Sequence, residues 1–244
     1  MIPSLEPCFA GVFTHYKDVL ALPGEHPSSV RGQDLLDASV LDSLLSRFSA
    51  VHPGGDRRAL VSMWTQWHFG ALIIPTTLAA LVLDRNLPVD LDRICIAVHE
   101  EGRTAAVILP DEGAPRKGDD AERFAPLFRG HIEPLIRTLA ARFKVSPRLL
   151  WNNAADVFEW TLQQAAEAGM AKPDVLEEGR SLLNDRLWAG GAPNPMFGLV
   201  RYIRQEEQES RRRKVCCLRY HLPGIACCGS ICPLPPPSLT PEAV

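Results

Sequence analysis

Five of the chain's seven cysteines lie between positions 216 and 232: Cys216, Cys217, Cys227, Cys228 and Cys232. Thiolates are soft ligands, so a group like this points to metal binding, redox chemistry or cross-linking. Adjacent cysteines close poorly onto each other, because a disulfide wants its Cα atoms well apart. The N-terminal MIPSLEPCFAGVF has no basic stretch ahead of an apolar run, so a cytoplasmic, reducing setting is expected. In that setting clustered thiols bind metal. Structural zinc prefers knuckles with two to four residues between ligands, which Cys216-Cys217 does not offer and Cys228-x3-Cys232 half supplies. An iron–sulfur cluster takes four thiolates, and a two-iron cluster spreads them over two metal atoms, so neighbouring cysteines can serve it. Spacing alone leaves zinc and iron–sulfur level.

The surroundings of the cluster carry charge. Arg211, Arg212, Arg213 and Lys214 precede it, and Arg219 and His221 sit inside it. A two-iron cluster on four thiolates is anionic and more so when reduced, so such cations can stabilise its reduced form. The same run also reads as a docking patch for an acidic electron donor, or as a solvated basic stretch. Upstream, Trp64 and Trp67 can line a ligand cleft or fill a helix core. His99 and Arg103 flank a turn, where they can meet a ligand or pair with Glu100 or Glu101. Asn152 and Asn153 can bind a ligand, cap a helix or face solvent. Cys8 and Cys95 read as inert, Cys95 as a small apolar strand residue. There is no G-x-G-x-x-G after a strand and no P-loop, so direct use of a dinucleotide or ATP is not expected. No catalytic Ser/His/Asp set or carboxylate pair stands out.

The elements around these residues read as α+β and mostly helical. Helical spacing covers 33–49, with Asp34 as cap, and 57–84, capped by Asp56 and continuous or broken near Pro75. Alternation at Ile94, Ile96 and Val98, a Glu101-Gly102 turn and extended Thr104–Leu109 predict a β-hairpin. Residues 111–120 read as a loop. Helices are expected over 121–143 and 147–168, with Ser146 capping and Pro147 in the first turn, and over 174–187. Residues 199–215 show no period that fixes their type. The expected organisation is a mainly helical domain over 1–195, a cluster-binding module over 196–233 and a disordered proline-rich tail over 234–244.

At 244 residues, with 46% hydrophobic and 23% charged residues, the chain can bury a sizeable core. A net charge of −3 gives no basic footprint for nucleic acid, and none is expected as a partner. The longest apolar stretch, 69–83, is interrupted by Pro75, Thr76 and Thr77 and reads as too short to span a bilayer.

Cys216-Cys217-Leu218-Arg219-Tyr220-His221-Leu222-Pro223 with its later cysteine pair resembles the C-terminal signature of the siderophore-iron (ferric) reductases of the FhuF type. Three upstream segments resemble that family in order: Ser62–Trp67 leading to Ile74-Pro75, His99–Arg103, and Leu150–Asn153 running to Trp160. The resemblance spans about residues 56 to 232. It implies a [2Fe–2S] cluster held by two adjacent cysteines, then ten residues, then Cys-x-x-Cys. Cys228 falls where the pattern requires, but the next cysteine is Cys232, with Ile231 where the family has sulfur. The implied ligands are Cys216, Cys217, Cys228 and Cys232, with Cys227 the alternate for either C-terminal ligand. Arg219, His221, His99, Arg103, Trp64 and Trp67 are candidates for the cluster surroundings or the substrate.

The implied activity is one-electron reduction of a ferric siderophore, of hydroxamate type, by an oxidoreductase charged by a protein such as a ferredoxin. Contact with the cytoplasmic face of the inner membrane is compatible with the basic run. The alternatives are a non-catalytic zinc or iron–sulfur protein, and a siderophore-assembly enzyme, since the upstream domain is similar to the C-terminal part of certain siderophore synthetases. Synthesis needs no redox metal, and the cysteine module argues against it.

Overall fold

The structure is a computed structural model and describes residues 2–116, 123–205 and 208–234. The expected tail from 235 onward lies outside the described residues, as do the end of the 111–120 loop and the first two residues of the helix expected at 121.

Helix α1 (Ala38–Ala50) is capped by Asp37, whose carboxylate accepts from the backbone amides of Ser39 and Val40. The cap expected at Asp34 belongs instead to a preceding 3-10 turn, Gly32–Leu36. Two acids stand near this start, and only Asp37 has extended backbone immediately before the first helical turn. Helix α2 (Arg57–Leu83) starts at Asp56, which accepts from Arg58 and Ala59 amides. It runs unbroken through Pro75 and ends at Asp84 in left-handed backbone, φ 50°. By length and composition α2 could cross a membrane, contrary to the shorter stretch read from the sequence. In this fold 72% of its most apolar window is buried by protein, as in a core helix.

A four-stranded sheet has the order β1 (Leu20–Ala21), β5 (Thr104–Ile108), β4 (Cys95–Val98), β2 (Val30–Arg31). The β4/β5 pair is the expected hairpin, with Cys95 opposite Ile108 and a register shift at Ala97/Val98. Short strands β3 (Arg85–Asn86) and β6 (Ala114–Pro115) pair beside it, so the expected loop contains a strand. The helical stretch after the loop opens with α3 (Ala125–Leu127) and a π turn, Phe128–Ile132, before α4 (Glu133–Phe143). Helix α5 (Pro147–Glu167) begins with Pro147 in its first turn; Ser146 precedes it without making a side-chain cap. Helix α6 (Pro173–Asn184) is amphipathic and lies against α5.

The core centres on the α2–α5 contact. Leu72, Phe69, Leu150, Phe158 and Ala154 are wholly or almost wholly shielded, and Phe158 meets Phe124 and Phe128 edge to face. The segment of undetermined period is an antiparallel hairpin, β7 (Val200–Gln205) and β8 (Gln208–Arg213). Met196, Leu199 and Leu222 around it join the same apolar core.

Candidate metal centre

Strand β8 sends successive side chains to opposite faces, and that alternation sorts the arginine run. Arg211 and Arg213 point at α5. Arg211 Nη1 donates to the Asp156 carbonyl and carboxylate, both at 2.8 Å, and pairs with Glu159 at 2.8 Å. Arg213 is only 2% exposed, pairs with Asp156 at 3.2 Å and donates to Asn153 Oδ1. Arg212, between them, faces the cysteines. The next residues are fixed just as tightly. The Val215 amide donates to Asn152 Oδ1 at 2.7 Å, and Asn152 Nδ2 donates to the Leu199 carbonyl. The Ser62 hydroxyl of α2 donates to the Cys217 carbonyl at 2.7 Å, and Asn153 Nδ2 donates back to Ser62. Two helices thus hold the backbone that carries the first cysteine pair.

Leu218 then takes left-handed backbone, φ 62°, and a 3-10 turn spans Arg219–His221. Leu222 drops into the core against Gly55, where an added Cβ would come within 2.8 Å of it, so glycine permits this approach. The chain returns with Cys227 exposed and Cys228 half-buried. A second 3-10 turn, Gly229–Ile231, takes up the extra residue of the Cys228-x3-Cys232 spacing and brings Cys232 back to interact with Cys228.

Cys216, Cys217, Cys228 and Cys232 line a cavity of about 580 Å³ with Arg212 and Arg219. Cys227 lines it as well and is the exposed one of the five. The Cys217 and Cys228 sulfurs are 3.8 Å apart. A tetrahedral metal with metal–sulfur bonds near 2.3 Å sets its sulfurs about 3.8 Å from each other, so this pair fits two ligands of one metal atom. Among the described residues no three His, Cys, Asp or Glu side chains converge as one metal ion requires. A two-iron cluster asks for thiolate pairs rather than one converged set.

Electrostatics favour thiolate at Cys217. Its pKa is held well below the usual thiol range, chiefly by the contact with Cys228, then by the Arg219 amide and the charges of Arg213 and Arg219, all against its burial. The same contact and burial push Cys228 up. Burial also raises Cys216, while the Leu218 amide, 3.3 Å from its sulfur, opposes this.

The other residues singled out by sequence fall in three places. Arg219 belongs to the cysteine cavity, whereas His221 lies outside its wall, exposed and packed on Tyr220. Trp67 and Arg103 share a second groove, with Arg103 5.3 Å over the indole. Arg103 and His99 both engage Glu101. Trp64 is core: it stacks on His68 and donates to the Gly102 carbonyl. Asn152 and Asn153 neither cap nor face solvent, since both are buried and grip the hairpin. Asp156 and Glu159 have no place in the sequence reading, and Ser62 enters it only as the first residue of a resembling segment. Their only signal was polarity on the otherwise apolar faces of two helices. Cys8 is buried, with its thiol pushed up to about 12 by burial, which keeps it inert.

These observations define a helical α+β protein with a C-terminal cysteine centre suited to a two-iron cluster. The chain belongs to the family described as "ferric iron reductase FhuF-like transporter", whose model matches residues 62–210. Residues 213–234 match the FhuF 2Fe-2S C-terminal domain, so the cofactor is a [2Fe–2S] cluster and the zinc alternative falls away. The chain is 25% identical over 177 residues to the ferric siderophore reductase of Escherichia coli K12, covering 71% of this chain and 65% of that protein's length. In fold it is similar to the aerobactin synthetases IucA (TM-score 0.58, 12% identity, 70% of this chain and 38% of that one) and IucC (TM-score 0.51, 16% identity, 70% and 36%) of Klebsiella pneumoniae.

Proposed function

We propose that the protein reduces ferric siderophores, with Cys216, Cys217, Cys228 and Cys232 as ligands of the [2Fe–2S] cluster and Cys227 outside the set. The observation that carries this reading is the paired cysteine cavity walled by Arg212 and Arg219. When bound, the cluster supplies single electrons with little rearrangement, at potentials near about −400 mV for plant-type centres.

The chain's own residues do the rest. Arg213, locked by Asp156 and Asn153, holds a buried positive charge near Cys217, Arg219 adds its own, and Arg212 lines the same cavity. These charges favour the more anionic reduced state and raise its potential. Ser62 and Asn152 fix the backbone on either side of the first cysteine pair, which limits rearrangement on electron transfer. The substrate is Fe(III) wrapped in hard oxygen donors of hydroxamate type. Those donors bind Fe(II) far less tightly, so one electron loosens the iron. The electron comes from a protein donor such as a ferredoxin, in the cytoplasm, with peripheral contact at the inner membrane compatible with exposed Lys214 and Arg204.

The test is anaerobic mixing of dithionite-reduced, desalted protein with a ferric trihydroxamate. The expected result is bleaching of the ferric complex, matched electron for electron by reappearance of the oxidised cluster's visible bands. Reduced protein that leaves the complex coloured would end the reading.

A further inference from the structure

A second groove, of about 380 Å³, lies beside the cysteine cavity along α2. Its size falls within the range of about 300–1,000 Å³ typical of small-molecule sites. The two spaces share one wall residue, Arg219. Arg219 Nη2 donates to Gln66 Oε1 at 3.1 Å and lies 3.7 Å from Met63 Sδ, and Nε is buried without a partner. Its backbone amide faces the Cys217 sulfur. Arg219 therefore borders both the cysteine cavity and the groove.

The far side of the groove has an unusual surface for a soluble fold. Trp67 is 48% exposed, although Trp64 one helical turn earlier is buried. The Arg103 guanidinium stands over the Trp67 ring, and Glu101 holds it there through Nε at 3.0 Å. An exposed aromatic face beside two guanidinium groups suits a ligand that presents flat, delocalised, electron-rich oxygen donors around an apolar frame. Hydroxamates and carboxylates wrapped around a metal ion have that chemistry.

We propose that this groove receives the oxygen-donor shell of the ferric complex, with Trp67 and Arg103 as its outer wall and Arg219 as the positioning residue between ligand and cysteines. This rests on the reductase reading above. The cluster, when bound, would supply the one electron that takes Fe(III) of the seated complex to Fe(II). No bond of the organic ligand breaks, and the protein donor restores the electron.

Binding is tested apart from electron transfer with the gallium complex of desferrioxamine B, a trihydroxamate whose metal is not reduced. Calorimetry on the cluster-loaded protein is expected to give saturable binding, about tenfold weaker in Trp67→Ala and in Arg103→Gln, with the visible spectrum of the cluster unchanged in both. Arg219→Gln is expected to raise KM for the ferric complex more than it lowers kcat, and Arg219→Lys to restore part of the loss. No binding by the parent protein, or equal binding by parent and both wall variants, would overturn the groove. If the parent reduces the ferric complex while the wall variants bind gallium unchanged, only the location fails. If gallium binding behaves as expected but no electron is transferred, only the reductase reading fails.

Discussion

The helical body and the cysteine-bearing segment are held by opposite physics. Between α2 and α5 most contacts are Leu, Ile, Phe and Ala packed on each other, with the Asn153 bonds to Ser62 and Thr65 at one end of the contact. The hairpin and first cysteine pair are instead fastened to those same helices by Arg211, Arg213, Asn152, Asn153 and Ser62. Apolar packing supplies free energy but little direction, whereas hydrogen-bonded charge fixes position at the cost of desolvation. A short segment made of 3-10 turns has few apolar residues to anchor it, and its cysteines must stay in register. The difference teaches that one molecule can use area for stability and directional bonds for placement.

Breaking the polar clamp is the largest test of that contrast. Arg213→Ala removes one of the two guanidinium partners of Asp156 and leaves Asn153 Oδ1 buried without its donor, which together cost about 3 kcal/mol. The cost should fall on the attached segment. Cluster absorbance in urea is expected to disappear well before the far-ultraviolet helical signal, and coincident transitions would refute a separate clamp. Leu72→Ala tests the other side, since removing this fully buried side chain should cost about 2–5 kcal/mol. Here the whole urea curve should move, with cluster absorbance and helical signal shifting together.

A buried histidine pair in the body offers a pH test. His131 donates through Nδ1 to the Val89 carbonyl and meets His68 Nε2 at 2.9 Å, while the Thr104 hydroxyl lies 2.7 Å from His68 Nδ1. Both rings are buried. Burial lowers His131 to about 4 and, with the charge of His131, lowers His68 well below its usual value. The unfolded chain therefore takes up protons first as pH falls below about 6.5, and the stability tied to His131 is lost between there and about pH 4. His131 alone accounts for roughly 3 kcal/mol. Urea midpoints at pH 7 and pH 5 should show the loss, and His131→Gln should flatten it. The smallest effect is expected of Asn152→Ala. It leaves the Val215 amide unpaired and the Leu199 carbonyl with the Lys214 amide as its remaining donor, for about 1–3 kcal/mol, seen as earlier loss of cluster absorbance with the helical transition unmoved.

How much of this was legible follows the same divide. The helices were visible because apolar residues recur every three or four positions, and the β4/β5 hairpin because Ile94, Ile96 and Val98 alternate. The β7/β8 hairpin was not, because the alternation in β8 is Arg against Arg: Arg211 and Arg213 go inward and Arg212 toward the cysteines. A hydropathy pattern cannot tell those arginines apart. Asn152 and Asn153 read equally as ligand-binding, capping or solvent-facing residues, and Asp156 drew no reading, since their partners lie some sixty residues away. Trp64 and Trp67 sit one turn apart, and only the packing against β5 and the Gly102 turn decides which is core. The cysteines announced a metal by their grouping alone; that iron and sulfide fill the site came from the family.

The central claim is that four cysteines clamped onto a helical body hold iron and inorganic sulfide. The direct measurement is iron, zinc and acid-labile sulfide content of anaerobically purified protein, alongside the variants Cys217→Ser and Cys227→Ser. Two irons and two sulfides per chain are predicted, as the 2Fe-2S domain requires, lost in Cys217→Ser and retained in Cys227→Ser. Stoichiometric zinc without sulfide, or a cluster untouched by removal of Cys217, would contradict the account.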